Sequence, residues 1–317
     1  MYASINYLKV KEEIENLRKR AIAEAEIRTA EIEAKSPEIT NINRELSRTG
    51  VVLFGAACRG EDLEPIKKRN LELQQMRKNE LIKLGYDPEY TSPKYSCTVC
   101  SDTGSVNMRI CNCFKKKLVT ENIKSSGIGP LIEKQSFENF DLEWYRDDAE
   151  NYKRMEQNLS MAKSYAQSFG SKTKNLVLIG KTGVGKTHIT TAIAKVVIEK
   201  GYNVIYDTTQ NVVSDFEQDR FRSGYGPYDP KSDKYLECDL LILDDLGTEF
   251  SSPFTVSCIY NLLNTRQNQG LPTIVSTNLD MTELMSKYDG RIASRLIGID
   301  SGVMIFGGRD HRIFSKK

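Results

Sequence analysis

The chain has 317 residues, 39% of them hydrophobic and 28% charged, the balance of a globular protein of about two domains. Its formal net charge of +2 excludes a global basic field for nucleic acid, so any nucleic-acid site is local. No run of about 18 apolar residues occurs, so no membrane span is expected; Met1 to Asn6 holds no apolar signal core, and the seven cysteines, four of them clustered, suit a reducing cytoplasm better than a disulfide framework.

In chain order, residues from Ile5 to Lys35 are rich in Glu, Lys, Arg and Ala and predict a helix without a sustained heptad register. Ser36-Pro37 breaks the pattern, and Val51 to Gly55 is apolar, short and ambiguous. A second helix is predicted from Asp62 to Leu84, with Ile66, Leu73, Met76, Leu81 and Leu84 as its apolar positions and Gly85 as its stop. The two helices either pair with each other or present a face to a partner protein.

Cys97-Thr98-Val99-Cys100 is followed, after a gap of ten residues, by Cys111-Asn112-Cys113. Two close cysteine pairs joined by a short hairpin supply the four soft ligands of a tetrahedral zinc ion, although C-x-C is tighter than the usual spacing. Four protein ligands close such a site, so the zinc is expected to be structural, within about residues 95–114. A labile disulfide pair or four idle thiols are the alternatives. Lys115, Lys116 and Lys117 follow; a solvated helix start is the commoner meaning of such a run, contact with nucleic acid the rarer one.

Ser125 to Pro130 has the composition of a flexible joint, which predicts a linker over 126–135. Asn151 to Phe169 reads as a helix, with Trp144 and Tyr145 before it as packing residues.

Asn175 to Ile179 is an apolar strand that runs into Gly180-Lys181-Thr182-Gly183-Val184-Gly185-Lys186-Thr187, followed by a helical pattern from His188 to Lys200. Strand, G-x-x-x-x-G-K-T turn and helix are the context of a phosphate loop. Backbone N–H groups from Gly180 to His188 would surround a polyphosphate at the positive end of the helix, Lys186 would reach its terminal phosphates, and Thr187 would offer a hydroxyl to magnesium.

Gly201 to Asp207 predicts a strand and Asn211 to Arg222 a helix. Cys238 to Asp245 is a buried strand ending in paired acids, which suits a magnesium acid at Asp244 and a water-polarising acid at Asp245, with Glu249 in reserve. Asp219 to Tyr228 mixes arginines with aromatics, as suits a single strand of nucleic acid or a mobile surface loop. Leu271 to Asn278 is a third buried strand; Asn278 at its end is either a turn former or a group that touches a γ-phosphate or the attacking water. From Thr282 one helix is predicted, with Arg291 and Arg295 on one face: a solvated basic face, or an arginine aimed at another subunit's nucleotide. Val303 to Phe306 gives a last strand before Gly307-Gly308-Arg309-Asp310-His311-Arg312.

Taken together, G-K-T-G-V-G-K-T, L-L-I-L-D-D-L-G-T-E, P-T-I-V-S-T-N-L, R-I-A-S-R-L and G-G-R-D-H-R resemble, in order and spacing, the AAA+ ATPases of the bacterial replicative helicase-loader family (DnaC/DnaI-like, related to IstB). The resemblance covers residues 136–317; the helices and cysteine cluster before them resemble the amino-terminal half of loader-type members. It implies an α/β P-loop fold, a parallel sheet flanked by helices, preceded by a helical, zinc-binding amino-terminal region over 1–125. It also implies Asn278 as the sensor-1 residue, Arg291 or Arg295 as the arginine acting in trans, and Arg312, less well Arg309, as the sensor-2 arginine. Phe137-Glu138-Asn139-Phe140 resembles the entry segment near the adenine. ATP, magnesium and structural zinc are the implied cofactors. The implied partners are a replicative helicase hexamer through the amino-terminal region, single-stranded DNA through the ATPase ring, and further copies of the chain on ATP binding. The function so implied is ATP-dependent loading of the replicative helicase; the alternatives are an IstB-like transposition helper and a nucleotide-gated binding module with little turnover.

Overall fold

Ser36 and Pro37, a break in the sequence pattern, turn out to start a helix rather than a loop. The Ile39 N–H donates to Ser36 Oγ at 3.3 Å and Pro37 fills the first helical turn, so α1 (Ile5–Lys35) passes directly into α2 (Pro37–Arg59). Val51 to Gly55 lies inside α2, which stops at Gly60 in the left-handed conformation. The computed structural model describes residues 5–222, 230–288, 290–298 and 301–311. These fall into two compact units, Lys11–Phe114 and Met1–Val10 with Lys115–Lys317.

In the first unit, α3 (Glu64–Lys83) folds back on α2, with Arg69 paired to Glu45 at 2.8 Å and Asn70 Nδ2 donating to Thr49 Oγ1 at 2.8 Å. Ile32, Ile39 and Leu81 form a small buried cluster under Tyr86 and Tyr90. Each such aliphatic side chain contributes about 1.5–3 kcal/mol when withdrawn from water. Ile32 of α1 and Leu81 of α3 thus meet in cis, while the paired α2 leaves Val51, Val52 and Phe54 exposed as an apolar face. Beyond them β1 (Ser105–Val106) and β2 (Arg109–Ile110) form an antiparallel hairpin. Its two-residue turn, Asn107 and Met108, has positive φ at both positions, the geometry that matches strand twist.

The second unit begins with α4 (Asn112–Ser125), which spans the boundary between the units, and the short α5 (Gly129–Ile132). The segment expected as a linker is packed instead: Ile128 and Ile132 belong to the main hydrophobic cluster, and the Tyr206 N–H donates to Ser126 O at 2.8 Å. Gly and Ser there serve a close backbone approach, not mobility. A 3-10 turn (Leu142–Tyr145) and α6 (Ala149–Gln167) lead to β3 (Asn175–Gly180) and α7 (Lys186–Glu199). Then come β4 (Val204–Thr208), α8 (Thr209–Arg222), α9 (Asp233–Glu237), β5 (Leu240–Leu246), α10 (Pro253–Asn268) and β6 (Thr273–Thr277). The single helix expected after Thr282 is two, α11 (Met281–Lys287) and α12 (Gly290–Ile297), because Tyr288 adopts an extended conformation between them; β7 (Ser301–Phe306) follows.

The strands form one parallel sheet in the order β4-β5-β6-β3-β7, with the phosphate-loop strand β3 internal. Side-chain alternation feeds two cores. Leu176 and Leu178 of β3 join one cluster with Ile189, Ile193 and Val197 of α7, while Val177 and Ile179 join another with Ile259 and Leu262 of α10. Because the strands are parallel, the carboxyl ends of β3, β5 and β6 share one edge, where ligands bind in open α/β sheets. Among the described residues no helix is long and apolar enough to cross a membrane.

Candidate nucleotide and metal sites

A cavity of about 320 Å³ opens at that edge, lined by Gly183, Gly185, Lys186 and Thr187 of the loop, Asp245 and Thr248 after β5, and Asn278 after β6. The loop is cut to a tight shape. Gly183 and Gly185 have φ of 78° and 91°, where a side chain strains the backbone, and a Cβ on Gly185 would lie 2.7 Å from the Tyr145 hydroxyl. The loop is tied from outside by Tyr145 Oη, donating to Val184 O at 3.0 Å, and by the His311 N–H, donating to Gly183 O at 3.0 Å. Lys186, 6% exposed, folds over the loop, and its Nζ donates to Gly180 O at 2.5 Å and Lys181 O at 2.8 Å. Glycine conformation, loop position and a near-buried ammonium fit a polyphosphate.

The paired acids part at the end of β5, as consecutive strand side chains do: Asp244 is buried beneath the loop and Asp245 lines the cavity. The register between β5 and β6 shifts between Leu243 and Leu246, and Asp245 takes a φ of 54°. Asp244 Oδ2 lies 3.4 Å from Thr187 Oγ1 and also accepts the Tyr206 hydroxyl; Oδ1 accepts the Ser276 hydroxyl. The Asp245 N–H donates to Ser276 Oγ at 3.1 Å. A hydroxyl and a carboxylate at the edge of a phosphate loop are the hard oxygen ligands that magnesium takes. Glu249 is spoken for elsewhere: it accepts the Gly247 N–H at 2.8 Å and the Tyr288 hydroxyl, and lies 3.5 Å from Lys287 Nζ.

The opposite wall is aromatic and was only partly foreseen. Phe140, of the segment expected near the adenine, lines the cavity with Trp144, Tyr145, His188 and His311. Trp144 and Tyr145, read as packing residues, are wall residues as well. His188 Nε2 lies 2.9 Å from Ser136 O and 3.0 Å from Asn139 Oδ1, two acceptors, so this nitrogen carries the proton. Burial holds His188 below the usual histidine range against the opposing bond to Ser136, and burial holds His311 down likewise against the nearby Asp310.

The two arginines of α12 stand apart from this cavity. Arg291 lines a second hollow with Ser251, Ser252, Pro253, Val256, Ser257 and Tyr260. Arg295 is committed within the chain, to Asn264 Oδ1 at 2.6 Å, to the Tyr260 hydroxyl at 3.1 Å and over the Tyr260 ring at 4.5 Å. Arg309 pairs with Asp147 at 3.3 Å in an exposed bridge. Arg312 lies outside the described residues, as do residues 223–229 of the arginine and aromatic stretch Asp219 to Tyr228.

In the first unit the four cysteines converge: Cys97, Cys100, Cys111 and Cys113 present their sulfurs within 4.8 Å of one another. Cys97 and Cys111 are 3.9 Å apart, and Cys100 and Cys113 3.4 Å. Four sulfurs at about 2.3 Å from a tetrahedral zinc stand about 3.8 Å from each other, so the donor set fits that ion. Asp102 builds the knuckle: its carboxylate accepts the Ser96 and Cys97 N–H groups, each at 2.8 Å. Burial raises both thiols of the inner pair, but a bond from the Gly104 backbone and those from the other sulfurs draw Cys100 down to about 7, while Cys113 stays raised.

Comparison with known proteins identifies the family. Residues 127–297 match the family model described as IstB-like ATP binding protein. The replicative helicase loader DnaC of Escherichia coli K12 is 28% identical over 187 residues, covering 59% of this chain and 73% of its own length. The phage-like element PBSX protein XkdC of Bacillus subtilis is 23% identical over 255 residues, covering 75% of this chain and 93% of its own. A crystal structure of DnaI is similar at 25% identity with a TM-score of 0.45, over 57% of this chain and 92% of that one. The family match takes in the phosphate loop, both acids, Asn278 and both arginines of α12, and spans more than half of the sequence: the chain belongs to the IstB-like ATP-binding protein family.

Proposed function

We propose that this protein is an ATP-driven loader of a replicative DNA helicase, hydrolysing ATP at a site that a neighbouring copy completes. The observation that carries the reading is the shared cavity of Lys186, Thr187, Asp245 and Asn278, with Asp244 beneath it and Arg291 lining a separate hollow. Bound magnesium would supply charge neutralisation between the terminal phosphates. Lys186 leaves its loop carbonyls to meet those phosphates, Thr187 and Asp244 hold the ion, and Asp245 orients the attacking water. Asp245 is one methylene shorter than a glutamate, so this water sits close to the strand end. Asn278 reaches the γ-phosphate or the same water. Arg291 reaches the nucleotide of the next subunit, and Arg312 serves the cis phosphates. The cysteine cluster holds one structural zinc.

The partner assignments rest on the amino-terminal unit and on the relatives. Val51 and Phe54, each 75% exposed on α2, supply an apolar face suited to a protein partner. E. coli DnaC, whose name carries helicase loading, aligns over most of its length. Single-stranded DNA is assigned to the assembled ATPase units. The second reading is an IstB-like transposition helper, in line with the family description of an IstB-like ATP binding protein. The cysteine cluster and long amino-terminal helices support the loader over it.

The test mixes the full chain with the host's replicative helicase and with the transposase of a resident insertion element, with ATP and magnesium or with EDTA. A nucleotide-dependent complex with the helicase, followed by helicase on single-stranded DNA, supports the loader. A complex with the transposase alone supports the second reading, and helicase binding without phosphate release supports a nucleotide-gated module.

A further inference from the structure

The structure assigns to Tyr206 the role of a positioning residue for the magnesium acid, acting through its hydroxyl on Asp244. This rests on the reading of Asp244 as a magnesium residue. Asp244 is 4% exposed, and both of its oxygens are engaged by hydroxyl groups on neighbouring strands. Ser276 of β6 donates to Oδ1 and Tyr206 of β4 donates to Oδ2, the oxygen that faces Thr187. A carboxylate gripped from both sides cannot rotate about its Cβ–Cγ bond, and its remaining lone pairs stay aimed at the metal position.

Tyr206 is itself held on the edge strand. Its N–H donates to Ser126 O at 2.8 Å, and a Cβ on Gly127 would come within 2.7 Å of its carbonyl oxygen. Only glycine permits that approach, which fixes the strand position from which the phenol reaches Asp244. Ser276 links the two acids, since its oxygen accepts the Asp245 N–H at 3.1 Å while its proton goes to Asp244. Orientation of the metal acid is therefore a property of three strands, β4, β5 and β6.

The test uses the full chain with ATPγS and Mn²⁺ as a paramagnetic stand-in for magnesium, its affinity read by electron paramagnetic resonance. Tyr206→Phe keeps the ring and removes the hydroxyl. Its Mn²⁺ affinity should fall about tenfold, the lower range for losing a group that orients a ligand, while ATPγS affinity in EDTA stays at the wild-type value. Ser276→Ala should behave in the same way and serves where Tyr206→Phe fails to fold. Equal Mn²⁺ affinity in wild type and variants overturns the role of Tyr206 alone. A parallel loss of metal-free ATPγS binding also overturns it, because a fold defect moves both quantities. Wild-type protein whose ATPγS complex takes up no Mn²⁺ overturns the assignment of Asp244 instead.

Discussion

Thr187 Oγ1 lies 3.4 Å from Asp244 Oδ2, although the two residues are 57 positions apart in the sequence. The first turn of α7 and the end of β5 meet there under the phosphate loop, beside Lys186, whose ammonium is held by Gly180 O and Lys181 O. Lys186→Ala removes that positive charge and leaves the loop backbone in place. Phosphate release should fall at least about 100-fold, or about 2.7 kcal/mol of barrier. Wild-type turnover in this variant would remove the loop from the chemistry.

Arg291 and Arg295 separate by what they touch. Arg295 bonds Asn264 and stacks on Tyr260, so Arg295→Ala should destabilise the fold by about 1–3 kcal/mol. Arg291 is exposed on α12, where surface contacts contribute little, so Arg291→Ala should lower the melting temperature less than Arg295→Ala does. Thermal unfolding of the two variants side by side checks this; equal losses would contradict it.

The cysteine cluster should hold one zinc per chain, lost in Cys97→Ser with Cys100→Ser. Because the ligands are thiolates, acidification should protonate them and release the metal. Elemental analysis after dialysis at falling pH is the readout. A metal content of zero in fresh wild-type protein would leave four thiols and no site.

Both histidines of the chain, His188 and His311, are held below the ordinary value of 6.5 by burial. The folded state therefore takes up their protons less readily than the unfolded chain does. Their stabilising contribution is complete above 6.5 and is lost as pH falls through the depressed folded values. The melting temperature should drop as pH falls below 6.5, and drop less in His188→Gln, which retains a donor for Ser136 O. An identical pH profile in the variant would sink this attribution.

The sheet and the loop were legible because burial on both faces writes continuous apolar runs, and because the phosphate loop needs glycine at fixed spacing. Four features were not. Ser36-Pro37 breaks a helix or caps one, and only the Ile39 N–H on Ser36 Oγ distinguishes the two. Ser126 to Gly129 has linker composition, yet Gly127 is there because Tyr206 O leaves no room for a Cβ. The bulge at Asp244 and Asp245 depends on a register shift against β6, a long-range fact. Arg266 looks like a helix-surface residue but is fully buried, donating to Tyr235 O, Cys238 O and Pro272 O at 2.7–3.0 Å. Trp144 and Tyr145 were recognisable as aromatic anchors, but nothing in their local pattern distinguishes packing from a cavity wall.

The central claim, a site shared between copies, is tested most directly by phosphate release from mixtures of Arg291→Ala and Asp245→Asn chains. Each variant alone should be nearly inactive. In the mixture some interfaces pair an intact Asp245 with an intact Arg291, and activity should return, rising to a maximum at an intermediate ratio. If no ratio restores hydrolysis while the two chains still co-assemble, the arginine does not act across a subunit boundary.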